Sequence, residues 1–361
     1  MTSREVIRAI VKDKECPERM GIMESFWPDL RSFWEKEGLP PRESLLDFLN
    51  LDIHPIGEEW VDTDASPGVR KRVEEDQATY VEEDGWGARR RYWKDKSGTP
   101  EHVSFSLTSE AVWREKYRDR FLSFDIKRFG DMERRKSEYR RLAATDRFRV
   151  YELMHIYEIM RRSMGDVVML EAMCLSPGWI TDFCTVITDS LIRNLQYEIE
   201  EIGLPDGIWF YEDLAYGELP FTSPRMYREL ILPHHRRFVD FCHGYDLPVI
   251  MHSCGNIERL FPEILDTGID CIQPMEAKTG LNVISLAESA RRRIAYMGNL
   301  DIRAFETNDR AQLEAEIVPK LEAIQKKRIP YVFHSDHSIP GSVRLATYLQ
   351  AQDVFRQYGR Y

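Results

Sequence analysis

A chain of 361 residues, 43% hydrophobic and 31% charged, is long enough to bury a large core. Its net charge of −11 argues against sequence-independent binding to nucleic acid, because phosphate contacts need a basic surface. No apolar run approaches the ~20 residues of a membrane helix, and the charged segment 1–20 does not resemble a secretory signal. We therefore expect a cytoplasmic protein with a small-molecule or protein partner.

The first part of the chain, residues 1–160, is predicted to form an N-terminal cap and the first elements of a barrel. Segment 48–56 has the apolar character of a strand, and segment 76–107 is typical of a β-hairpin that carries aromatic and charged residues. Segment 113–160 is charged and strongly helical in pattern. We find no linker rich in Gly or Ser, so we expect one domain over residues 1–361.

The second part, residues 161–361, alternates short apolar runs with helix signals and is predicted to form the main portion of the barrel. Strands separated by helices of this length indicate right-handed βαβ units and a parallel sheet. With segment 48–56 the strands number seven, and eight would close a (β/α)8 barrel of the TIM type. The predicted strands begin near 166, 207, 247, 269, 293 and 329, and the helices cover 223–243, 257–265, 283–292, 309–327 and 343–357.

Polar side chains stand at the ends of five consecutive strands of this series. The carboxyl ends of parallel barrel strands meet at one rim, which is where active sites of this architecture lie. So many ionisable groups at one rim favour a functional site over a purely structural one. The residues concerned are Glu212, Asp213, His252, Cys254, Gln273, Glu276, Asn299, Asp301, His334, Asp336 and His337.

The sequence HSCG, residues 252–255, contains a candidate metal motif. Side chains two apart on a strand point to the same side, so His252 and Cys254 can bind one ion. An imidazole nitrogen with a thiolate suits zinc, and a catalytic zinc takes three protein ligands. Gly255 lets the backbone turn away directly after the two ligands. The alternative, a core histidine beside a buried thiol, stays open.

The third ligand must come from another strand end. Cys271 begins its strand and is expected at the opposite rim, whereas His337 follows the last strand. We therefore predict His337 as the third ligand, with Glu212 as a fourth that substrate displaces.

Other polar groups have less specific interpretations. His234 and His235 lie in a predicted helix outside the sheet, where an exposed pair is expected. The run Arg89–Arg91 is typical of a solvated face, and a carboxylate clamp on a lid is the alternative. The six cysteines form no CxxC pair, and Cys174, Cys184 and Cys242 are expected to lie in the core.

The run LPHHRRFVDFCHGYDLPVIMHSCGNIERLFPEILDTGIDCIQPME, followed by YMGNLD and HSDHSIPGSV, resembles the uroporphyrinogen decarboxylase superfamily. More narrowly, it resembles the branch of corrinoid-dependent methyltransferases of the methylcobamide:coenzyme M type. The resemblance extends over about residues 165–357 and implies a (β/α)8 barrel.

In that branch the resemblance implies zinc held by an HxC motif and a later Cys. His252 and Cys254 match the motif, while His337 stands where the later Cys would be. The remaining rim residues are then expected to orient the ligands, move a proton or contact the substrate. We assign Asp213, Glu276 and Asp336 to the first two roles, and Asn299, Asp301 and His334 to the third.

The implied function is methyl transfer between a corrinoid and a small-molecule thiol, methyl ether or amine. The chain shows no corrinoid-binding domain, so a separate corrinoid protein is the expected partner, and a homodimer is one option for the oligomeric state. The runner-up is a metal-free lyase acting on a tetrapyrrole or another carboxylate, as true uroporphyrinogen decarboxylases do. Their signature RQAGRYLPEY is missing here, where segment 21–38 reads GIMESFWPDLRSFWEKEG. A non-catalytic tetrapyrrole carrier is a third option.

Overall fold

Eight parallel strands form a nearly closed barrel in the computed structural model, which describes residues 1–41, 44–57, 60–290 and 293–361. From the second strand onward each strand pairs with the next along the chain, and the first pairs with the last. The first two strands are joined where the Asp52 N–H donates to the carbonyl of Ile22 at 2.8 Å. The strands are β1 (Gly21–Ile22), β2 (Ile53–Pro55), β3 (Phe148–Met154), β4 (Gly207–Tyr211), β5 (Val249–Ser253), β6 (Cys271–Pro274), β7 (Ala295–Met297) and β8 (Tyr331–Phe333).

The predicted TIM-type architecture is confirmed, although one strand was assigned to the wrong segment. The apolar run at 166 is not a strand, because it lies inside a helix that spans Ile156–Leu175. Its buried residues Met169, Ala172 and Met173 are spaced as on one face of a helix, whereas Val167 of the same helix is 70% exposed. The strand that precedes this helix is β3, inside the segment that we predicted to be helical.

Helices cover the outside of the barrel. The predicted helix 223–243 is present as two helices that meet at Ile231, and the last two residues of the predicted helix 283–292 lie outside the described residues. The α-helices are α1 (Ser3–Val11), α2 (Leu30–Lys36), α3 (Leu45–Phe48), α4 (Glu110–Val112), α5 (Met132–Ala143), α6 (Ile156–Leu175), α7 (Pro177–Glu201), α8 (Pro224–Leu230), α9 (Leu232–Gly244), α10 (Phe261–Leu265), α11 (Val283–Ala290), α12 (Ile302–Glu306), α13 (Arg310–Lys327) and α14 (Leu345–Tyr358).

The predicted hairpin excursion is an antiparallel sheet of four strands between β2 and α4. Its third strand contains the arginine run, and the three guanidinium groups pair with Glu83, Asp84 and Glu101. Arg90 is only 3% exposed, so the expectation of a solvated face is wrong for this residue. The four strands are Arg70–Glu75, Thr79–Asp84, Arg89–Trp93 and Glu101–Ser104.

Two further burial expectations were wrong. His234 and His235 are buried, because this face of α9 packs against the barrel instead of facing solvent. Cys174 is exposed at the end of α6, next to Leu175, which is 81% exposed, whereas Cys184 and Cys242 are buried as predicted.

None of the individual helices in the described part of the chain has both the length and the hydrophobicity of a membrane span. The pair α6 and α7 passes that test only when the two helices are taken together across a 116° bend.

Candidate metal site at the carboxyl rim of the barrel

The candidate metal site lies where β4, β5 and β6 end side by side. His252 near the end of β5 is in register with Tyr211 of β4 and with Gln273 of β6. Asp213 follows Tyr211 by two residues, and Cys254 follows His252 by two residues, so both lie at the same rim. The parallel register of the strands therefore brings together residues that are about 20 to 40 positions apart in the chain.

Asp213, His252 and Cys254, here called the metal group, have potential ligand atoms that lie within 4.8 Å of one another. The Nε2 atom of His252 lies 3.4 Å from Oδ1 of Asp213 and 3.4 Å from Sγ of Cys254. The backbone N–H of Cys254 donates to the same Asp213 oxygen at 3.0 Å, which holds the carboxylate beside the thiol. One oxygen, one nitrogen and one sulfur thus face a common point.

Gly255 turns the chain directly after this group. Its φ of +75° lies in the left-handed region, and a Cβ atom here would come within 2.5 Å of the backbone of Ala215. The turn is closed by the next residue, since the Asn256 N–H donates to the carbonyl of Gly217 at 2.8 Å. The glycine of HSCG is therefore required by both conformation and space.

Gln273 determines which nitrogen of His252 carries the proton. His334 donates its Nδ1–H to the Ser335 carbonyl at 2.5 Å, so its Nε2 accepts from the Gln273 amide at 3.1 Å. The amide oxygen of Gln273 then faces Nδ1 of His252 at 2.5 Å and accepts its proton. In the neutral imidazole, Nε2 of His252 therefore keeps its lone pair, as a metal ligand must.

The charges within the group support one another. Burial raises the pKa of Asp213, but the hydrogen bond and charge of His252 outweigh it and lower the pKa to about 2. Burial lowers the pKa of His252, and the same contact with Asp213 reverses that effect and raises it. Burial, with the negative charges of Asp213 and Glu276, raises the pKa of the Cys254 thiol. A divalent cation bound here would favour the thiolate form of Cys254.

A second group shares Cys254 and contains Glu276 and His337. The His337 ring packs against Trp27 with ring centroids 5.8 Å apart, and burial lowers the pKa of the imidazole. Lys278 Nζ lies 3.6 Å from Glu276. Cys254 therefore belongs to both groups, and His337 reaches it from the loop after β8.

Glu212 points away from both groups into a buried hydrogen-bond network. Its carboxylate accepts from Nδ1 of His155 at 3.0 Å, from Nε2 of His235 at 2.6 Å and from two backbone N–H groups at the start of α6. Burial raises the pKa of Glu212, but these histidine contacts outweigh it and lower the pKa to about 2. Tyr227 lies 2.8 Å from the other nitrogen of His235. These contacts join the barrel to its outer helices.

The remaining predicted residues support the loops around the site. Asn299 is buried, and its amide donates to the carbonyls of Met275 and Leu281. Asp301 caps α12, and Asp336 accepts backbone N–H groups from Lys278 and Ile302. Asn299, Asp301 and Asp336 thus hold the polypeptide around the rim, while His334 acts through Gln273.

A cavity of about 400 Å³ opens above the metal group, within the range for a small-molecule site. Glu152 fixes one wall, because its carboxylate accepts from Nε1 of Trp60 and from the Tyr211 hydroxyl, both at 3.1 Å. The Trp60 and Tyr211 rings lie 4.4 Å apart, and Tyr211 lies 4.8 Å from His252. The wall includes Trp27, Trp60, Met154, Glu158, Arg162, Tyr211, Gln273 and His337.

Several of these cavity residues were missed by sequence reasoning. Trp60, Met154 and Arg162 come from the loop after β2, the end of β3 and the first turns of α6. Nothing in their local sequence marks them, because β3 itself was not recognised. Gln273 stood among the predicted strand ends and is the one whose role could have been inferred, since it neighbours His252 in the sheet.

The fold and the position of the site define a (β/α)8 barrel with its candidate site at the carboxyl ends of the strands. Residues 157–358 match the profile of the uroporphyrinogen decarboxylase (URO-D) family. This match covers more than half of the chain, and the chain belongs to that family. The resemblance seen in the sequence is therefore confirmed.

Two individual proteins are similar to this chain. A methyltransferase from Methanosarcina mazei of known structure superposes with a TM-score of 0.71 over 99% of both chains, at 13% identity, which shows a shared fold. A methylated-thiol–coenzyme M methyltransferase from Methanosarcina mazei is 43% identical over 49 residues. That matched stretch spans 14% of this chain and 12% of the relative's length.

Proposed function

We propose that the protein is a zinc-dependent methyltransferase. It moves a methyl group between a corrinoid, carried by a separate partner protein, and a small-molecule thiol, methyl ether or amine. The observation that carries the proposal is the arrangement of Asp213, His252 and Cys254 at the rim of the barrel. Membership of the URO-D family and the fold shared with a methyltransferase support it.

The two donor-atom distances from His252 match the spacing of ligands around a tetrahedral zinc ion. Bond lengths of roughly 2.0–2.1 Å to nitrogen and about 2.3 Å to sulfur place tetrahedral ligand atoms about 3.4 to 3.6 Å apart. The distances from His252 Nε2 to Asp213 and to Cys254 are both 3.4 Å. We therefore assign the third ligand to Asp213, a role that the sequence reasoning gave to His337. His337 and Glu276 flank Cys254, where a fourth ligand would enter.

Zinc bound here would lower the pKa of a substrate thiol or polarise the oxygen of a methyl ether. The protein's own groups orient the reaction. Gln273 holds His252, and the rings of Trp60 and Tyr211 form an aromatic wall of the cavity. Glu158 in the cavity wall can exchange a proton with the substrate, because burial and the charge of Asp213 raise its pKa to about 7.

Elemental analysis of the purified protein tests the metal site. We expect about one zinc per chain in the wild type and none in Cys254→Ala. Cys174→Ala is the matched control, since it removes an exposed thiol at the end of α6. Equal zinc content in both variants would place the metal elsewhere.

The activity is tested with methylcobalamin and a panel of thiols, methyl ethers and amines. We expect a metal-dependent change in the corrinoid absorption spectrum that is absent in Cys254→Ala and present in Cys174→Ala. Metal-free protein that decarboxylates uroporphyrinogen would favour the lyase and overturn the proposal. Corrinoid binding with no methyl turnover against the whole panel would favour a carrier.

A further inference from the structure

Arg162 lies in the wall of the candidate cavity and forms no salt bridge with a described residue. In the part of the chain that the structure describes, its guanidinium forms no ion pair, and its Nη1 donates only to Sδ of Met154 at 3.2 Å. The preceding residue is different, because Arg161 pairs with Glu158 at 3.1 Å and with Asp166 at 2.9 Å. A guanidinium carries five N–H donors, and a thioether is a weak acceptor. Arg162 is therefore poorly satisfied.

The fold fixes the backbone that carries this side chain. Arg162 is half-buried, and its backbone carbonyl accepts a hydrogen bond from Arg90 of the antiparallel sheet. Arg90 is itself buried and paired with Asp84. The antiparallel sheet thus anchors the first turns of α6, and with them the backbone of Arg162.

Arg162 also stands between two cavities. The 400 Å³ cavity contains His252 and Cys254, and an adjoining cavity of about 570 Å³ shares Trp60, Met154 and Arg162 with it. Two carboxylates feel the charge of Arg162, which lowers the pKa of each against the larger raising effect of burial, but both form their ion pairs elsewhere, Glu158 with Arg161 and Asp64 with Arg70. An anion entering the smaller cavity would therefore meet an unpaired guanidinium.

We propose that Arg162 binds an oxyanion, a carboxylate, sulfonate or phosphate, on the small-molecule substrate. The substrate's skeleton would lie along Trp60 and Tyr211, with its methyl-bearing atom toward Cys254 and its anionic group on the guanidinium. A planar guanidinium binds such oxyanions with two parallel hydrogen bonds. This deepens the proposed function, because it rests on methyl chemistry taking place at Cys254. The anion site itself is tested without metal or turnover.

The first experiment uses inorganic sulfate as the probe. Thermal unfolding is followed in sodium sulfate and in sodium chloride of matched ionic strength, for the wild type, Arg162→Gln and Lys127→Gln. Lys127→Gln removes one positive charge from the adjoining cavity alone, and it controls for the general stabilising effect of sulfate. We expect part of the sulfate-dependent rise in midpoint to disappear in Arg162→Gln and to remain in Lys127→Gln. Equal rises in all three proteins would overturn the proposal.

The second experiment compares ligands of one skeleton with and without the charge. Binding of 3-methoxybenzoate and of 3-methoxybenzyl alcohol is measured by calorimetry on metal-free protein. We expect the carboxylate to bind about tenfold more tightly in the wild type and in Lys127→Gln, with the advantage lost in Arg162→Gln. Equal affinity for both compounds, or no binding of either, would overturn the anion site. Failure of methyl transfer in the separate zinc and corrinoid assays would overturn the proposed function instead.

Discussion

Nδ1 of His252 lies 2.5 Å from Oε1 of Gln273, and the amide nitrogen of the same side chain lies 3.1 Å from Nε2 of His334. Because His334 donates its only proton to the Ser335 carbonyl, it can receive only the NH2 end of the amide. The orientation of Gln273 and the tautomer of His252 are thus set from β8, across the barrel interior. This contact is the strongest evidence that His252 is prepared to bind a metal through Nε2.

Substitution of Gln273 should therefore weaken zinc binding without removing a ligand. We expect Gln273→Leu to reduce zinc affinity by about 10-fold to 100-fold, as loss of an outer hydrogen bond to a ligating histidine does. Gln273→Glu retains an acceptor for Nδ1–H and should recover most of the affinity. A chromophoric chelator in competition measures both values. Equal affinity in the two variants would show that Gln273 acts only in packing.

Substitution of the neighbouring carboxylates Asp213 and Glu212 should affect different properties, zinc affinity for Asp213 and folding stability for Glu212. Asp213→Asn removes a charged donor from the metal group, so we expect zinc affinity to fall by at least about tenfold with little change in stability. Glu212→Gln breaks a buried network of four hydrogen bonds and should cost about 3 kcal/mol of folding stability. Zinc analysis and urea unfolding of each variant test the pair. Zinc loss in Glu212→Gln at unchanged stability would contradict this assignment.

Glu24 should make stability depend on pH. Burial raises its pKa to about 8, and the hydrogen bonds from Ser335 and from the Ser25 N–H oppose that rise only in part. The neutral carboxyl therefore stabilises the fold below an unfolded pKa of about 4.5, and this contribution is lost as the pH rises toward 8. At pH 8.5 we expect Glu24→Gln to be more stable than the wild type by about 1–3 kcal/mol. At pH 5 we expect the variant to have no such advantage in stability.

Urea unfolding at several pH values between these limits measures the effect of Glu24. Glu314→Gln in α13 is the matched control, because this carboxylate is half-exposed and pairs with Arg310 of the same helix. Its stability should follow that of the wild type at every pH. Parallel curves for Glu24→Gln and the wild type would exclude the buried carboxyl as the cause.

The barrel could be predicted from the second half of the chain because its strands are continuous apolar runs, as in β5, where Val249, Ile250 and Met251 are fully buried. The first half carries weaker signals. β1 has only two residues, and β3 contains Arg149 and Glu152, whose side chains find partners only in the folded protein. No local pattern distinguishes such a strand from a charged helix.

The candidate site was partly predictable for a related reason. His252 and Cys254 lie on one strand, so alternation alone places them together. The orientation of the Glu212 side chain depends on its hydrogen bond with His235, a residue that we expected to face solvent. Asp213, one residue further on, faces the cavity instead, and this choice is decided by packing between α9 and β4. Residue type and spacing could not distinguish the two carboxylates.

Gly255 allows a direct test of the turn that positions Cys254. An alanine here would have to adopt φ of +75° and would place its Cβ 2.5 Å from the Ala215 backbone. We expect Gly255→Ala to cost about 2–4 kcal/mol of folding stability and to lower zinc affinity, because relief of the clash moves Cys254. Gly244→Ala at the end of α9 is the control, since an added methyl group would meet no atom within 4 Å among the described residues outside that helix. That control should match the wild type or gain up to about 1 kcal/mol. Zinc affinity unchanged in Gly255→Ala would show that the metal group tolerates displacement of its turn.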